Sequence, residues 1–284
     1  MRSRCSVRLT AAFWTMLICV PADAAPSCGP PDLPCRLDQG TYHIALPEAV
    51  TGAPAVLWLH GFGRSGKQVL ANARVAGPII ARGYALIAPD GQPFAGDTGN
   101  FDWGVNDGHR WARDDIAFVK AVLADATERF GLDRSRVLVA GFSRGGSMVW
   151  DLACRAPRIA AGFAAVSGAF WEPMFETCAG PVHLLHTHGF SDRLVPLEGR
   201  QVTFHGIHFT QGNVYKGLEI WRRIDGCRGS ASRIETTVSL WRKTWDRCDR
   251  GSLTLQLTPG GHAIPAGSVD GALDWFEALA TPGP

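Results

Sequence analysis

Residues 136–145 read RVLVAGFSRG, and this stretch decides the fold that we predict. An apolar run ends in Gly-x-Ser-x-Gly with Ser143 at its centre, and a helical pattern resumes over residues 145–156. A sharp turn from a buried strand into a helix holds such a serine in a strained conformation, and the flanking glycines let strand and helix approach. Ordinary glycine-rich turns share the pattern, so its strand-turn-helix context is what favours a nucleophile.

The rest of the chain repeats this alternation of short apolar strands and helices. Strands are predicted at 55–59, 84–88, 136–140, 162–166, 182–186 and 253–257. Helices are predicted over about 66–80, 110–130, 145–156 and 268–279, and the Pro- and Gly-rich stretch 90–108 is predicted to be a long loop. The pattern predicts an α/β fold, with a mostly parallel central sheet and helices on both faces.

Two residues downstream of Ser143 are candidates to activate it. A serine hydroxyl needs a base, and the base needs an orienting carboxylate. Asp192 follows the predicted strand 182–186, and His262 follows the strand 253–257. Reactive groups in parallel sheets collect at the carboxyl ends of the strands. We therefore predict Ser143, Asp192 and His262 as a catalytic triad.

Other histidines and acids compete with this assignment. Three histidines alternate along one strand, which is more typical of packing or supporting roles: His183, His186 and His188. His205 and His208 have H-x2-H spacing without a third ligand, so we predict no metal site and no cofactor. Asp90 ends a strand but precedes Ser143, which is the wrong chain order for the acid of a triad.

Two backbone N–H groups are predicted to bind the oxyanion of a tetrahedral intermediate. One belongs to Arg144, which follows the nucleophile, and the other to Phe62 in the glycine-rich stretch 60–63, with Gly61 and Gly63 as alternatives. Four aromatic residues are candidates for substrate binding, with core packing an equally weighted alternative: Phe62, Trp103, Phe170 and Trp171.

The N-terminus has the order of a secretory signal peptide. Three arginines precede the apolar run 9–20, and small residues at 22–25 supply a cleavage site after Ala24. Twelve apolar residues are too few to span a bilayer, which takes about 20. We predict residues 1–24 to be removed on export, and residues 25–284 to form one catalytic domain that is secreted or periplasmic.

Charge and cysteine content fit an exported protein that binds neither nucleic acid nor a membrane. The 28 basic and 26 acidic residues become 25 of each once residues 1–24 are removed, which gives no electrostatic case for either partner. Six cysteines remain, and an even number outside the cytoplasm favours three disulfides, with 15 pairings open. Pairing of sequence neighbours is our first expectation: Cys28–Cys35, Cys154–Cys178 and Cys227–Cys248.

Taken together, these blocks resemble the poly(3-hydroxybutyrate) depolymerase and feruloyl-esterase-like group of α/β-hydrolases. The resemblance covers about residues 55–275 and rests on the segments 59–61, 114–118, 141–154, 163–168, 188–196 and 261–262, with Trp221, Cys227 and Cys248. Two departures bear on the substrate: Arg144 stands where the group often has Ala, and Ala263-Ile264-Pro265 stands where it often has Trp-Pro-Gly.

The resemblance implies an α/β-hydrolase fold and a serine esterase that forms an acyl-enzyme without a cofactor. Its first implied substrates are polyhydroxybutyrate-type oligoesters or polyesters, and feruloyl or acetylxylan esters of plant polysaccharide are the alternative. A peptidase of prolyl-oligopeptidase type is a weaker enzyme candidate. A catalytically inactive binding protein is the alternative from another class, although such proteins usually lack a triad member. The sequence gives no indication of the oligomeric state.

Overall fold

A ten-stranded sheet organises the part of the chain that the structure, a computed structural model, describes: residues 28–29, 33–94, 97–204 and 206–279. The described strands are β1 (Cys35–Leu37), β2 (Gly40–Ala45), β3 (Ala55–Leu59), β4 (Ala85–Pro89), β5 (Gln92–Phe94), β6 (Asp97–Asp102), β7 (Val137–Phe142), β8 (Gly162–Val166), β9 (His183–Gly189), β10 (Arg200–Phe204), β11 (Ile207–Gln211), β12 (Arg233–Thr236), β13 (Trp241–Trp245) and β14 (Ser252–Thr258). The described helices are α1 (Gly66–Ala71), α2 (Ala73–Ala81), α3 (Asp115–Phe130), α4 (Arg144–Arg155), α5 (Val214–Ile224) and α6 (Ser268–Leu279).

The centre of the sheet is parallel. Its order is β1-β2-β4-β3-β7-β8-β9-β14-β13-β12, and the run from β4 to β14 pairs in parallel, while the outer strands pair antiparallel. Every residue of β3, β4 and β8 is buried, because helices cover both faces of the sheet. This burial explains why these strands are continuous apolar runs rather than alternating ones.

Successive residues of each central strand contribute to two hydrophobic layers. Leu57 and Leu59 pack on the side of α3, α4 and α5, whereas Val56 and Trp58 pack on the side of α1, α2 and α6. The predicted fold class, a mostly parallel sheet with helices on both faces, is confirmed.

Some element boundaries differ from the prediction for local reasons. The helix expected over 66–80 is divided at Asn72, which adopts an extended conformation and caps α2 by accepting the N–H of Arg74. The helix expected from about residue 110 begins at Asp115, because the Asp114 carboxylate accepts the first free N–H groups. The stretch 90–108 contains the β5–β6 hairpin.

Three disulfides join Cys28 to Cys35, Cys154 to Cys178 and Cys227 to Cys248, which confirms the neighbour pairing. Each closed loop removes conformational freedom from the unfolded chain and is typically worth about 2–4 kcal/mol. The segment expected to be a signal peptide, 1–24, lies outside the described residues. Within those residues, no helix is long and apolar enough to cross a bilayer.

Candidate active site

The turn between β7 and α4 holds Ser143 in an unusual conformation. Its φ of 57° and ψ of −122° lie in a region that residues with a side chain rarely adopt. A Cβ placed on Gly145 would lie 2.1 Å from the carbonyl oxygen of Leu59. Only glycine therefore lets α4 pass so close to β3. The strand-turn-helix context predicted for this serine is present.

Ser143, Asp192 and His262 form one hydrogen-bonded chain. Ser143 Oγ lies 2.8 Å from His262 Nε2, and His262 Nδ1–H donates to Asp192 Oδ2 over 2.7 Å. With Nδ1 protonated, Nε2 is left to accept the serine proton. The three residues follow β7, β9 and β14, whose carboxyl ends meet at one edge of the sheet.

The carboxylate of Asp192 is held on both oxygens. Oδ1 accepts the backbone N–H groups of Leu194 (2.9 Å) and Val195 (2.8 Å), while Oδ2 faces His262. Burial by itself raises the pKa of Asp192, but hydrogen bonds from His188, the Val195 N–H and His262 outweigh it and hold the pKa well below its usual range. Asp192 is therefore ionised and fixed in orientation.

The loop after β3 lies beside the nucleophile. A Cβ placed on Gly61 would lie 3.4 Å from the Cβ of Ser143, and Phe62 lines the same cavities as Ser143. Gly63 is a poor candidate for an oxyanion donor, because its N–H already donates to Phe101 O over 2.9 Å. Phe62 follows Gly61 in this loop, and Arg144 follows Ser143 as the first residue of α4, so both remain the predicted oxyanion donors.

His60 fixes the loop after β3 through three hydrogen bonds. Its Nδ1–H donates to Gly61 O over 2.8 Å, its Nε2 accepts the N–H of Gly91, and its carbonyl accepts the indole N–H of Trp103 over 2.8 Å. Burial lowers the pKa of His60 to about 4, so the ring is neutral at pH 7 and keeps this pattern of donors and acceptors.

Two cavities meet at Ser143 and His262. The smaller, about 390 Å³, has an aromatic wall made by Phe62, Phe94, Trp171 and Phe209. The larger, about 760 Å³, is more polar and is lined in part by Arg64, Gln68, Asn72 and Arg74. An ester attacked by Ser143 can therefore place its two halves in chemically different surroundings.

The structure corrects two of the four aromatic substrate-binding predictions. Phe62 and Trp171 line the smaller cavity, whereas Trp103 and Phe170 are buried in the core. Trp103 supports the loop after β3, as described above. Phe170 packs edge-on against Trp150 and stacks on Trp221, with ring centroids 4.9 and 5.8 Å away.

Arg144 is anchored by two aspartates that the sequence did not single out. Its Nε donates to Asp102 (2.9 Å) and its Nη2 to Asp107 (2.5 Å). The guanidinium carbon lies 4.5 Å from the centre of Trp171 and 5.3 Å from that of Trp111. No local motif marks Asp102 and Asp107, because they lie about 40 residues from Arg144 in a stretch predicted to be a loop.

Among the described residues, no group of three or more His, Cys, Asp or Glu side chains has an arrangement that could hold a metal ion. His208 hydrogen-bonds Thr203, and His205 lies outside the described residues. His186 and His188 are fully buried behind the triad, in keeping with the packing or supporting role predicted for them.

Comparisons with known proteins point to esterases. The family model described as phospholipase/carboxylesterase matches residues 113–215. A putative esterase, NocK, of Nocardia uniformis subsp. tsuyamanensis is 28% identical over 82% of this chain and 71% of its own length. Feruloyl esterase C of Emericella nidulans is 32% identical, but the match spans 53% of this chain and only half (50%) of that protein.

A solved structure shows the same architecture. The acetyl xylan esterase from Aspergillus awamori superposes with a TM-score of 0.63 at 16% identity, covering 84% of this chain and 94% of that one. The chain has the α/β-hydrolase fold, and its predicted resemblance to esterases of this fold is confirmed. The comparisons support a carboxylic ester hydrolase.

Proposed function

We propose that this protein is an exported serine esterase that forms an acyl-enzyme and takes aromatic acyl groups carrying an oxygen substituent, such as hydroxycinnamates. The observation that carries the proposal is the unbroken chain Ser143 Oγ–His262–Asp192, with hydrogen bonds of 2.8 and 2.7 Å at the mouth of the two cavities. An inactive binding protein has no need of this alignment.

The geometry supports a two-step hydrolysis. Ser143 Oγ attacks the ester carbonyl as His262 Nε2 takes its proton, and the oxyanion accepts hydrogen bonds from the N–H groups of Phe62 and Arg144. The intermediate collapses, the C–O bond to the alcohol breaks, and His262 returns the proton to the leaving alkoxide. Water, deprotonated by His262, then attacks the acyl-enzyme and releases the acid and Ser143.

The smaller cavity supports an aromatic acyl group. Its lining combines the aromatic rings with two polar residues, Arg144 and Ser147. Ser147 Oγ accepts the N–H groups of Ala169 (3.2 Å) and Trp171 (3.1 Å), so its own proton is available to an oxygen on the substrate. The name of feruloyl esterase C, one of the relatives, agrees with this substrate class.

Hydroxybutyrate oligoesters, the first expectation from the sequence, are the second candidate. Two cavities that meet at Ser143 suit a chain with ester units on both sides of the attacked bond. The aromatic wall gives an aliphatic hydroxybutyryl group less specific contact than it gives a flat ring, which is why we rank this substrate second.

The signal-like sequence at 1–24 and the three disulfides support export, because disulfides form and persist in oxidising compartments. Mass spectrometry of the mature protein from culture medium or periplasm tests this part of the proposal. We expect the chain to begin at Ala25, and a full-length chain retained in the cytoplasm would contradict export.

Turnover of p-nitrophenyl acetate, methyl ferulate, hydroxybutyrate trimer and acetylated xylan tests the activity. We expect Ser143→Ala to lower kcat by at least about 10⁴-fold on every substrate that the native protein hydrolyses. Full activity of this variant would refute the assignment of the nucleophile. A folded native protein that hydrolyses none of the four would favour the inactive binding protein.

Trp171→Ala tests the aromatic pocket. We expect kcat/KM for methyl ferulate to fall about tenfold more than for p-nitrophenyl acetate, since only the larger acyl group reaches the ring. Trp241→Ala, which removes a partly exposed indole outside both cavities, is the matched control. An equal loss on both substrates would contradict the assignment of this cavity to the acyl group.

A further inference from the structure

Three buried side chains behind Asp192 form a second hydrogen-bonded chain. His186 and His188 lie two residues apart on β9 and are completely buried, on the side of the sheet that Trp150 of α4 covers. Trp150 Nε1 lies 3.2 Å from His186 Nδ1, and His186 Nε2 lies 3.0 Å from His188 Nδ1. No step of ester hydrolysis uses these three residues directly.

The direction of every hydrogen bond in this chain follows from its first member. An indole N–H can only donate, so His186 Nδ1 is an acceptor and the proton of that ring is on Nε2. His186 Nε2–H then donates to His188 Nδ1, which places the proton of His188 on Nε2. The chain fixes both rings as neutral Nε2–H tautomers.

His188 Nε2–H reaches the loop that carries the triad acid. It donates to Val195 O over 2.8 Å and lies 3.4 Å from Asp192 Oδ2. Val195 N–H in turn donates to Asp192 Oδ1 over 2.8 Å. The carbonyl of Val195 thus accepts a hydrogen bond from His188, and its N–H donates one to the carboxylate of Asp192. His188 therefore helps to position Asp192 through Val195.

We propose that Trp150, His186 and His188 form a histidine relay that positions Asp192 and excludes a positive charge beside it. This inference rests on the proposed serine esterase function. A proton on His188 Nδ1 would face the N–H of His186 and break the relay, so the ring next to Asp192 stays neutral. The carboxylate then keeps its full charge for the imidazolium that His262 becomes during catalysis.

The surroundings of the relay agree with this role. Burial, together with the neighbouring His188, lowers the pKa of His186 well below its ordinary value. The titratable groups that face His188 are His186 on β9 and Asp192 on the following loop, and α4 contributes the uncharged indole of Trp150. Among the described residues that contact His188, the ionised one is Asp192, the carboxylate that the relay positions.

Substitution of His188 separates a positioning role from a packing role. Leucine removes the donor to Val195 O, whereas the side-chain amide of glutamine can replace it. We expect His188→Leu to lower kcat about 10- to 100-fold with KM changed less than about threefold, and His188→Gln to recover to within about fivefold of the native kcat.

A pair of tryptophans gives the matched control. Trp150 and Trp221 are both fully buried and pack together, but Trp221 Nε1 has no hydrogen-bond partner among the described residues, whereas Trp150 Nε1 starts the relay. Both Phe variants lose similar volume from the same cluster. We expect Trp150→Phe to lower kcat at least about fivefold more than Trp221→Phe.

Long-range ¹H–¹⁵N spectra of histidine-labelled protein read the tautomers directly. We expect both His186 and His188 in the Nε2–H tautomer at pH 7, as the hydrogen bonds of the relay require. A proton on His188 Nδ1 at pH 7, equal kcat in the two tryptophan variants, or a His188→Gln variant no more active than His188→Leu would overturn the relay alone. Full turnover in Ser143→Ala would overturn the esterase function and the relay together.

Discussion

Two buried polar clusters support the site, one behind Asp192 and one around Arg144, and their polar groups are stabilised in different ways. The histidine relay with Asp192 matches neutral donors to acceptors one by one, and the carboxylate at its end is the sole charge. The second group, which we name the arginine cluster, surrounds the buried guanidinium of Arg144 with three carboxyl groups: Asp102, Asp107 and Asp151. The first cluster is stabilised by the directions of its hydrogen bonds, and the second by the attraction between opposite charges.

The two clusters respond to pH with opposite sign. Burial raises the pKa of Asp151 to about 7, whereas burial lowers the pKa of His186. Above about pH 4 the unfolded chain releases the proton of Asp151, whereas the folded protein keeps it up to about pH 7. The free energy of unfolding therefore falls as pH rises from about 4 to 7. Below about pH 6.5 the unfolded chain takes up a proton on His186, whereas His186 stays neutral in the folded protein. The free energy of unfolding therefore falls as pH falls below that value.

The largest effect that we predict comes from removing the single cation of the arginine cluster. Arg144→Gln leaves Asp102 and Asp107 buried without their partner, and breaking a buried ion pair on one side typically costs about 3–5 kcal/mol. Urea unfolding at pH 7 measures the loss.

Arg193→Gln, an exposed change on the same side of the molecule, should alter the free energy of unfolding by less than about 0.5 kcal/mol. Adding Asp102→Asn to Arg144→Gln should restore part of the loss, because one of the two unpaired charges is removed. If Arg144→Gln were no more destabilising than the control, the cluster would not depend on charge.

Asp151→Asn should give the next largest effect, and it should depend on pH. The carboxyl accepts the N–H of Asn106 on one oxygen, and its other oxygen has no partner in the described part of the chain. Asparagine removes the cost of ionising this site. Relative to the native protein, the variant should gain roughly 4 kcal/mol of stability between pH 4 and pH 8.

Urea unfolding at several pH values tests this slope, with Asp38→Asn at an exposed aspartate for comparison. A constant difference between Asp151→Asn and the native protein across the range would show that Asp151 is ionised in both states or in neither.

His186→Gln should give the smallest effect, with the opposite trend. The change leaves the Trp150 N–H and His188 Nδ1 poorly paired, which costs about 1–3 kcal/mol at pH 8. The deficit should shrink as pH falls from 7 to 5, because the native protein alone loses stability through His186 in that range. His208→Gln, at an exposed position, is the control. A deficit that grew on acidification would mean that His186 is protonated in the fold.

That Ser143, Asp192 and His262 come together could be predicted from the sequence, because parallel strands bring their carboxyl ends to one edge of the sheet. Once three strands were recognised, the residues after them had to lie close together, whatever the length of chain between them. Neighbour pairing of cysteines succeeded for a similar reason, since short loops bring their ends together at low entropic cost.

Pocket residues could not be placed this way. Phe170 and Trp171 are adjacent in sequence, yet one packs into the core and the other lines the smaller cavity, because neighbouring side chains point in different directions. Composition and motif give the same signal for both. Trp103 is likewise aromatic and next to a glycine, but it is buried in the core, where its indole N–H donates to His60 O.

By itself, the sequence determined the alternation of elements, the strained serine turn and the order of the triad, since each depends on local pattern and on the geometry shared by parallel sheets. Only the tertiary structure decided which aromatic rings reach the cavity, how two distant aspartates hold Arg144, and how Trp150 sets the protons on two histidines behind Asp192. Those relations join residues tens of positions apart through the directions of single side chains. These relations are decided by burial and by the directions of hydrogen bonds, and no single stretch of sequence contains either.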